Sequence, residues 1–556
     1  MKRPRNNQGE MTFPESTFQF KPLHMRRVLC VFPKYAWSFA TFNYAFPLVG
    51  NVKAFMPPQG LLTIAALMPE RWQIRFIDEN TQPATEDDMR WADAVFTSGM
   101  HIQRESICDV IDRAHRAGRS VVLGGASASS APEWYPEADI IHVGEVGDAT
   151  LEIFELIDQN PGRPPQQIIL RTSQRLPMTG FPTPAYHLID IRNYFLCSVQ
   201  FSSGCPNGCE FCDVPILYGR RARYKTPAQV IRELDILAAG GAPSVHFVDD
   251  NFIADPKVTR ELLDHLVIWQ DKWDCQVRLS CEATLGLAQH PDILERMRDS
   301  YFTNVFCGIE SPESEALRAI KKTFNLQMPI LGAIDTLNRY GMEVAVGLIM
   351  GFDTDTEKTP LILADFIRAS QTPVHTLNIL YALPKTPLYK RLEQAGRIVF
   401  DESRDSNVKF LRPYEKVVAD WRDLISKVYE PEALYQRYAT QAIKTYPNRR
   451  RPRFPLRQAT PRNLRRAFSI FARLIWHVGI RSDYRRVFWK MFRTQLRQGF
   501  IENIFQIALV GHHLISYTRE SVAAGSIHAC HFAPRIRPQL STSKCRSSTV
   551  LEGLPK

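Results

Sequence analysis

Three cysteines, Cys205, Cys209 and Cys212, fall at a C-x3-C-x2-C spacing within Gly204-Cys205-Pro206-Asn207-Gly208-Cys209-Glu210-Phe211-Cys212. Thiolates are soft ligands suited to iron–sulfur clusters, and a tight loop can turn three of them onto one cluster. Three thiolates on a four-iron cluster leave one iron without a protein ligand, and that open position is a place for chemistry. The other eight cysteines, Cys30, Cys108 and Cys275 among them, are scattered and read as small buried apolar residues.

The elements around this loop recur in a regular order. Strand-like runs occur at Ser198 to Ser202, Val245 to Val248, Val277 to Ser280, Val305 to Cys307, Val344 to Ile349 and Leu377 to Leu380. Helical runs lie between them: Pro227 to Ala239, Val258 to Trp269, Pro291 to Arg298, Pro312 to Ile320, Met328 to Tyr340 and Leu361 to Ser370. Six βα units predict a partial TIM-type barrel with its chemistry at the carboxyl ends of the strands. Those ends carry the cysteine loop, then Asp249-Asp250, Glu282, Glu310-Ser311 and the glycine-bounded stretch Gly347 to Gly351. Adjacent acidic residues after an apolar strand are costly unless they are solvated or paired.

A second α/β unit precedes the barrel. Short apolar strands are expected at Val28 to Phe32, Trp72 to Ile77, Ala94 to Thr97, Val121 to Leu123 and Ile140 to Val143, with helices at Leu61 to Met68 and Glu105 to Ala117. Strands alternating with helices predict a doubly wound parallel sheet that binds ligands at the carboxyl strand ends. The last three ends read Ser98-Gly99-Met100, Gly124-Gly125 and Gly144-Glu145. Glycine lets backbone approach a large flat or phosphate-bearing ligand closely.

The chain has 556 residues, too many for one core, and no signal peptide or membrane-spanning segment is expected. Its cysteine usage points to a reducing cytosol. The net charge of +11 is uneven: residues 440–556 hold 22 Lys and Arg against 4 Asp and Glu, a net of +18, which leaves −7 for residues 1–439. A mildly acidic body argues against a nucleic-acid channel and for one basic appendage with its own partner. Within that appendage Arg449-Arg450-Arg451-Pro452-Arg453 is followed by helix-length runs at Phe468 to Val478, Tyr484 to Phe492 and Phe500 to Leu514. Arginines beside Trp476, Trp489 and several Phe suit the interface of an anionic membrane, or a helical subdomain packed on the barrel.

The cysteine loop resembles the signature of the radical SAM enzymes. The strand-end glycines upstream resemble the cobalamin-binding domain found ahead of many of them. Together with Gln200-Phe201-Ser202-Ser203, Val248 to Phe252 and the C-terminal extension, the arrangement is similar to the bacterial hopanoid C-2 methylases over roughly residues 26–510. The resemblance implies a Rossmann-like cobalamin-binding domain at 26–158, after an arm at 1–25. A linker at 159–194, a (β/α)6 radical SAM barrel at 195–400, a basic helical domain at 401–526 and a disordered tail at 527–556 complete the expected order. It implies three cofactors: a 4Fe-4S cluster on Cys205, Cys209 and Cys212, S-adenosyl-L-methionine (SAM) on the open iron, and cobalamin. SAM contacts are then expected from Phe211, Asp249, Asp250, Glu282, Glu310, Ser311 and Gly347. Cobalamin contacts are expected from Ser98, Gly99, Met100, Gly124, Gly125, Gly144 and Glu145. The family's D-x-H-x-x-G motif is absent, since Pro33-Lys34-Tyr35-Ala36-Trp37 follows the first strand. This departure implies cobalamin without a lower histidine ligand. Asp112, His115 and Gly118 echo the motif only formally and read as a helix face.

The implied reaction is methylation at an sp3 carbon. Reductive cleavage of SAM yields a 5′-deoxyadenosyl radical that abstracts hydrogen, and methylcobalamin delivers the methyl group. The implied partners are a small-molecule or lipid substrate, an electron donor such as flavodoxin or ferredoxin, and the inner face of a membrane. Other readings are an enzyme modifying a soluble natural product, a non-catalytic cobalamin or cluster sensor, and a nucleic-acid-modifying enzyme using the basic tail. A methylthiotransferase is disfavoured because the chain has no second cysteine cluster.

Overall fold

The structure, a computed structural model, describes residues 22–274, 277–401, 404–450, 461–497 and 501–523. Most of the expected arm, Cys275, the basic residues after Arg450 up to Arg453, Phe500 and the expected tail lie outside the described residues.

Two six-stranded parallel sheets dominate. The first comprises β1 (Arg27–Phe32), β2 (Gln73–Asp78), β3 (Ala94–Ser98), β4 (Ser120–Gly124), β5 (Ile140–Val143) and β6 (Ile168–Arg171), in the order β2-β1-β3-β4-β5-β6. All five pairings are parallel. Parallel strands covered on both faces read as unbroken apolar runs, and Val28 to Val31 are fully buried. The strand order reverses between β1 and β3, which opens the crevice where such sheets bind ligands. The expected linker is partly sheet: β6 lies within it and pairs with β5. Its four residues alternate between half-buried and exposed at the sheet edge, and the short run Ile168-Ile169-Leu170 lies in a proline-rich stretch that reads as linker.

The second sheet comprises β7 (Cys197–Val199), β10 (Ser244–Phe247), β11 (Arg278–Glu282), β12 (Phe302–Glu310), β13 (Glu343–Met350) and β14 (His375–Ile379). Its order is β14-β13-β12-β11-β10-β7, a barrel wall that stays open between β14 and β7. β8 (Ser202–Ser203) and β9 (Arg223–Tyr224) form a small antiparallel pair flanking the cysteine loop. Helices return the chain between strands and are capped by local chemistry. Thr226 and Gln229 form a capping box for the Pro227–Ala239 helix, and Asp255 caps Pro256–Lys272.

The basic C-terminal region packs on the barrel. Trp421 is fully buried, and its Nε1 donates to the Leu377 carbonyl of β14 at 2.9 Å. The Ile501–Ala523 helix joins the same core, with Tyr517 edge-on to Phe39. Arg449 donates to the carbonyls of Gly341 and Thr303 at 2.9 Å each, and Arg450 bonds the Asp299 carbonyl. These two arginines therefore staple the extension to the turn before β13, to the start of β12 and to the end of the helix before it. Among the described residues, no helix is long and apolar enough to cross a membrane.

Candidate active site

The cysteine loop hangs from the end of β7 and is fastened at both flanks. Gly204 takes φ +96°, and a Cβ there would lie 2.8 Å from the Arg221 carbonyl oxygen, so only glycine fits. Its N–H donates to Asp250 Oδ2 at 2.8 Å, and Cys205 N–H donates to the Gly219 carbonyl at 3.2 Å. On the far side Glu210 N–H donates to the Ile320 carbonyl at 2.9 Å, and its buried carboxylate pairs with Arg391 at 2.7 Å. The loop is thus held where Cys205, Cys209 and Cys212 lie near one another, each half-exposed and free of disulfides. Burial is the largest influence on all three thiols and raises them above the ordinary cysteine range. Thiols crowded this way favour a cationic centre that takes up the thiolate charge. Among the described residues no three His, Cys, Asp or Glu side chains converge on a single ion. Three neighbouring thiols on one loop are the soft donor set of a 4Fe-4S cluster, and they fit one.

The acidic pair after β10 divides its duties. Asp249 is fully buried, and its carboxylate accepts the N–H groups of Ser202 and Phe201. It braces the segment that leads into the cysteine loop. Asp250 is half-buried and holds Gly204. Burial pushes Asp249 up to about 7 and Asp250 up to about 6.

Glu282, at the end of β11, is half-exposed and lies 3.9 Å from His246 Nε2, while His246 Nδ1 meets Ser280 Oγ at 2.8 Å. Glu310 ends β12 at φ +67°, a left-handed conformation that costs a non-glycine residue energy. Its carboxylate is buried against Lys322 Nζ at 2.6 Å. A Cβ on Gly308 would stand 2.5 Å from Glu310 Oε1, so that glycine makes room for the pair. Lys322 Nζ also lies 5.8 Å from the centre of the Phe211 ring, and its charge reaches Cys209 and Cys212. Ser311 Oγ accepts the Glu313 N–H at 3.2 Å. Gly347 sits opposite Gly308 in register, under the edge of Phe306. Lys322 was not foreseen. Its signal in the sequence, the second lysine of Lys321-Lys322 after a helix, is that of an ordinary solvated helix end.

At the carboxyl edge of the first sheet the surface is mostly backbone. Gly125 takes φ +90°, and a Cβ there would meet Gly99 N and O at 3.0 Å. Gly144 takes φ +111° and donates its N–H to Ser129 Oγ at 2.9 Å. Ser98 and Gly124 close β3 and β4 side by side, and Met100 is an exposed apolar side chain beyond them. A Cβ on these glycines would strike neighbouring residues such as Gly99 and Thr172, so the strand ends stay bare of side chains, and such an edge fits a large flat ligand such as a corrin ring. The Glu145 carboxylate accepts from Ser203 and pairs with Arg175 and Arg223. His115 pairs with Asp139 at 2.8 Å on the outer helix, away from the edge glycines. His101, next to Met100, is buried, with Nδ1 3.1 Å from Ser127 Oγ, and burial lowers it to about 4.

Known proteins share these parts. Residues 47–154 match the B12 binding domain, residues 199–367 the radical SAM superfamily, and residues 386–525 a domain of unknown function (DUF4070). The chain is 49 % identical over 513 residues to the hopanoid C-2 methylase of Rhodopseudomonas palustris (strain TIE-1), covering 92 % of this chain and 97 % of that protein. It is 31 % identical over 503 residues to an uncharacterized methyltransferase of Synechocystis sp., covering 88 % and 92 %. In fold it is similar to the radical SAM methyltransferase TsrM of Kitasatospora setae, solved with cobalamin and a 4Fe-4S cluster, at TM-score 0.56 and 16 % identity over 75 % of this chain and 96 % of that one. The cobalamin-dependent SAM radical enzyme OxsB, solved with aqua-cobalamin and SAM, gives TM-score 0.56 at 13 % identity over 90 % and 81 %. With its cysteine loop, glycine-lined upstream sheet and near full-length relatives, this chain belongs to the cobalamin-dependent radical SAM methyltransferases, which use a 4Fe-4S cluster, SAM and cobalamin.

Proposed function

We propose that this enzyme methylates an unactivated sp3 carbon of a hopanoid-type membrane lipid. The observation that carries the reading is the 49 % identity to the hopanoid C-2 methylase, which runs through the cobalamin half, the barrel and the helical extension alike. Cys205, Cys209 and Cys212 hold the cluster, and Asp250, Glu282, Glu310, Ser311 and Gly347 line the SAM side of the rim. Ser98, Gly99, Met100, Gly124, Gly125 and Gly144 face the cobalamin. When bound, the cluster and SAM supply the hydrogen-abstracting radical and cobalamin supplies the methyl group. The chain's own task is to orient and to exclude water. Glu310 and Lys322, paired with each other at 2.6 Å, keep a fixed dipole beside the cysteine loop, while Phe211 and the buried strands keep solvent from the loop. No side-chain general base is needed. One electron per cleavage comes from a donor of the flavodoxin or ferredoxin type.

A lipid substrate also accounts for the outer face of the extension. The Pro461–Leu474 helix continues into a π-helix at Ile475–Arg481. Along it Phe468 is 73 % and Trp476 53 % exposed, with Leu464 and Ile480 also open to solvent. Arg465, Arg466, Arg473 and Arg481 are exposed on the same stretch. Aromatic and aliphatic side chains among arginines suit an anionic bilayer surface, and peripheral contact with the inner leaflet belongs to this reading.

Lipid profiling of a deletion strain tests the function. Complementation with the wild type restores a hopanoid heavier by one methylene, and complementation with Cys205→Ala does not. A deletion strain with an unchanged lipid profile overturns the substrate.

A further inference from the structure

The carboxyl edges of the two sheets meet at a polar knot centred on Glu145. This residue follows Gly144 at the cobalamin edge, yet its carboxylate, only 10 % exposed, engages the other half of the molecule. One carboxylate oxygen accepts Ser203 Oγ–H at 2.5 Å, and the other pairs with Arg175 Nε at 3.2 Å and with Arg223. Ser203 stands two residues before Cys205. Arg175 also donates to the carbonyls of Tyr218 at 2.7 Å and Leu217 at 2.9 Å, and Arg223 donates to Tyr218 at 3.1 Å. The next carbonyl, that of Gly219, is the one that receives Cys205 N–H. One carboxylate therefore reaches the first ligand cysteine by two routes, through Ser203 and through the 217–219 turn.

Two further contacts fix the knot. Thr172 Oγ1 donates to the Glu145 carbonyl at 2.6 Å and holds its backbone. Lys385 Nζ, beyond β14, donates to the Ser129 carbonyl at 2.8 Å, a second tie between the two edges. Two donors of Arg223, Nε and Nη1, are buried without a partner. Buried cationic donors left unpaired are costly, and the amide carbonyls that rim a corrinoid are suitable acceptors.

We propose that Glu145, with Arg175 and Arg223, is a positioning latch that sets the cobalamin edge against the cluster loop, so that hydrogen abstraction and methyl delivery meet at one substrate carbon. The inference rests on the cofactor placement proposed above. Small misplacements of reacting groups carry large costs, on the order of a hundredfold per ångström. Loosening the latch therefore uncouples the two steps before it stops either.

The test compares the reconstituted holoenzyme with Glu145→Gln and Glu145→Asp. Three quantities are read: the ratio of 5′-deoxyadenosine to methylated lipid, cobalamin affinity by absorbance titration, and the cluster's EPR spectrum. In Glu145→Gln the EPR spectrum is unchanged, cobalamin binds more weakly, and the ratio rises by about tenfold. Glu145→Asp restores part of the coupling. A ratio that stays constant while both products fall together, or a variant indistinguishable from wild type, overturns the latch. Should Glu145→Gln not fold, Ser203→Ala keeps both arginines and moves the ratio in the same direction, and an unmoved ratio there overturns the proposal. If the wild type methylates no hopanoid, the substrate reading has failed separately. Cobalamin affinity then decides the latch: weakened binding in the variant supports it, and unchanged binding overturns it.

Discussion

At the carboxyl edge of the first sheet the working surface is backbone, whereas at the rim of the second sheet it is charge. The first edge is built from Gly99, Gly124, Gly125 and Gly144 around neutral, buried histidines. The second carries Asp249, Asp250, Glu310 and Lys322, all buried or half-buried, around three thiols. On the cofactor placement proposed above, the contrast follows the ligands. A corrin ring is wide and flat and needs side chains out of the way. A cluster holding an amino acid needs fixed charges and thiolates in a dry setting, where they act strongly.

Four substitutions or conditions test this contrast, in falling order of effect. Cys205→Ala removes a cluster ligand and takes methyl transfer to background, with iron content and EPR signal lost while cobalamin still binds the first half. Cobalamin lost along with the iron would break the contrast. Gly125→Val forces a β-branched residue to φ +90° against Gly99. It weakens cobalamin retention by about tenfold or more, with the iron content of the reconstituted protein unchanged. Lys322→Met leaves Glu310 buried and unpaired and lowers stability in urea unfolding by about 3–5 kcal/mol. The double variant Lys322→Met/Glu310→Gln recovers most of that loss, because both charges are then absent.

The smallest effect is on pH, and its sign differs between the halves. Burial lowers His101 and His142 to about 4. Their contribution is complete above the unfolded value of about 6.5 and is lost as pH falls toward 4. Burial raises Asp249 to about 7 and Asp250 to about 6. Their contribution is complete below the unfolded value of about 3.9 and is lost as pH rises through the folded values. Between pH 8 and pH 5 hydrogen exchange, corrected for its intrinsic rate, therefore quickens across β3 to β5 and slows in β7 and the cysteine loop. A common direction in both regions contradicts these assignments.

Strands were legible wherever both faces are covered. Ile140 to Val143 is β5 to the residue, and the expected run Val344 to Ile349 lies inside Glu343–Met350. The elements that escaped are short or sit on edges, where an apolar run is too brief to stand out. β6 is four residues in a proline-rich stretch, and β8 and β9 are two residues each. The basic extension was legible as charge and aromatic content, but not as a unit whose Arg449 and Arg450 are spent on barrel carbonyls. Composition counts a charge without saying what it touches.

The three cysteines mark the limit between the two sources. Their type and spacing alone point to a cluster with an open iron, because ligand identity and loop length are local properties of the chain. The glycines at Gly99, Gly125 and Gly144 likewise announce a close backbone approach. Which of two acidic neighbours serves as a brace was decided by the fold. Asp249 and Asp250 are neighbours in sequence, yet one is sealed beneath β7 and the other faces the loop. The partners of Glu310 and Glu145 are also a tertiary matter. Lys322 lies 12 residues beyond Glu310, and Arg223 lies 78 residues beyond Glu145. Pairing energies in a dry interior depend on distance in space, which only the packed structure sets.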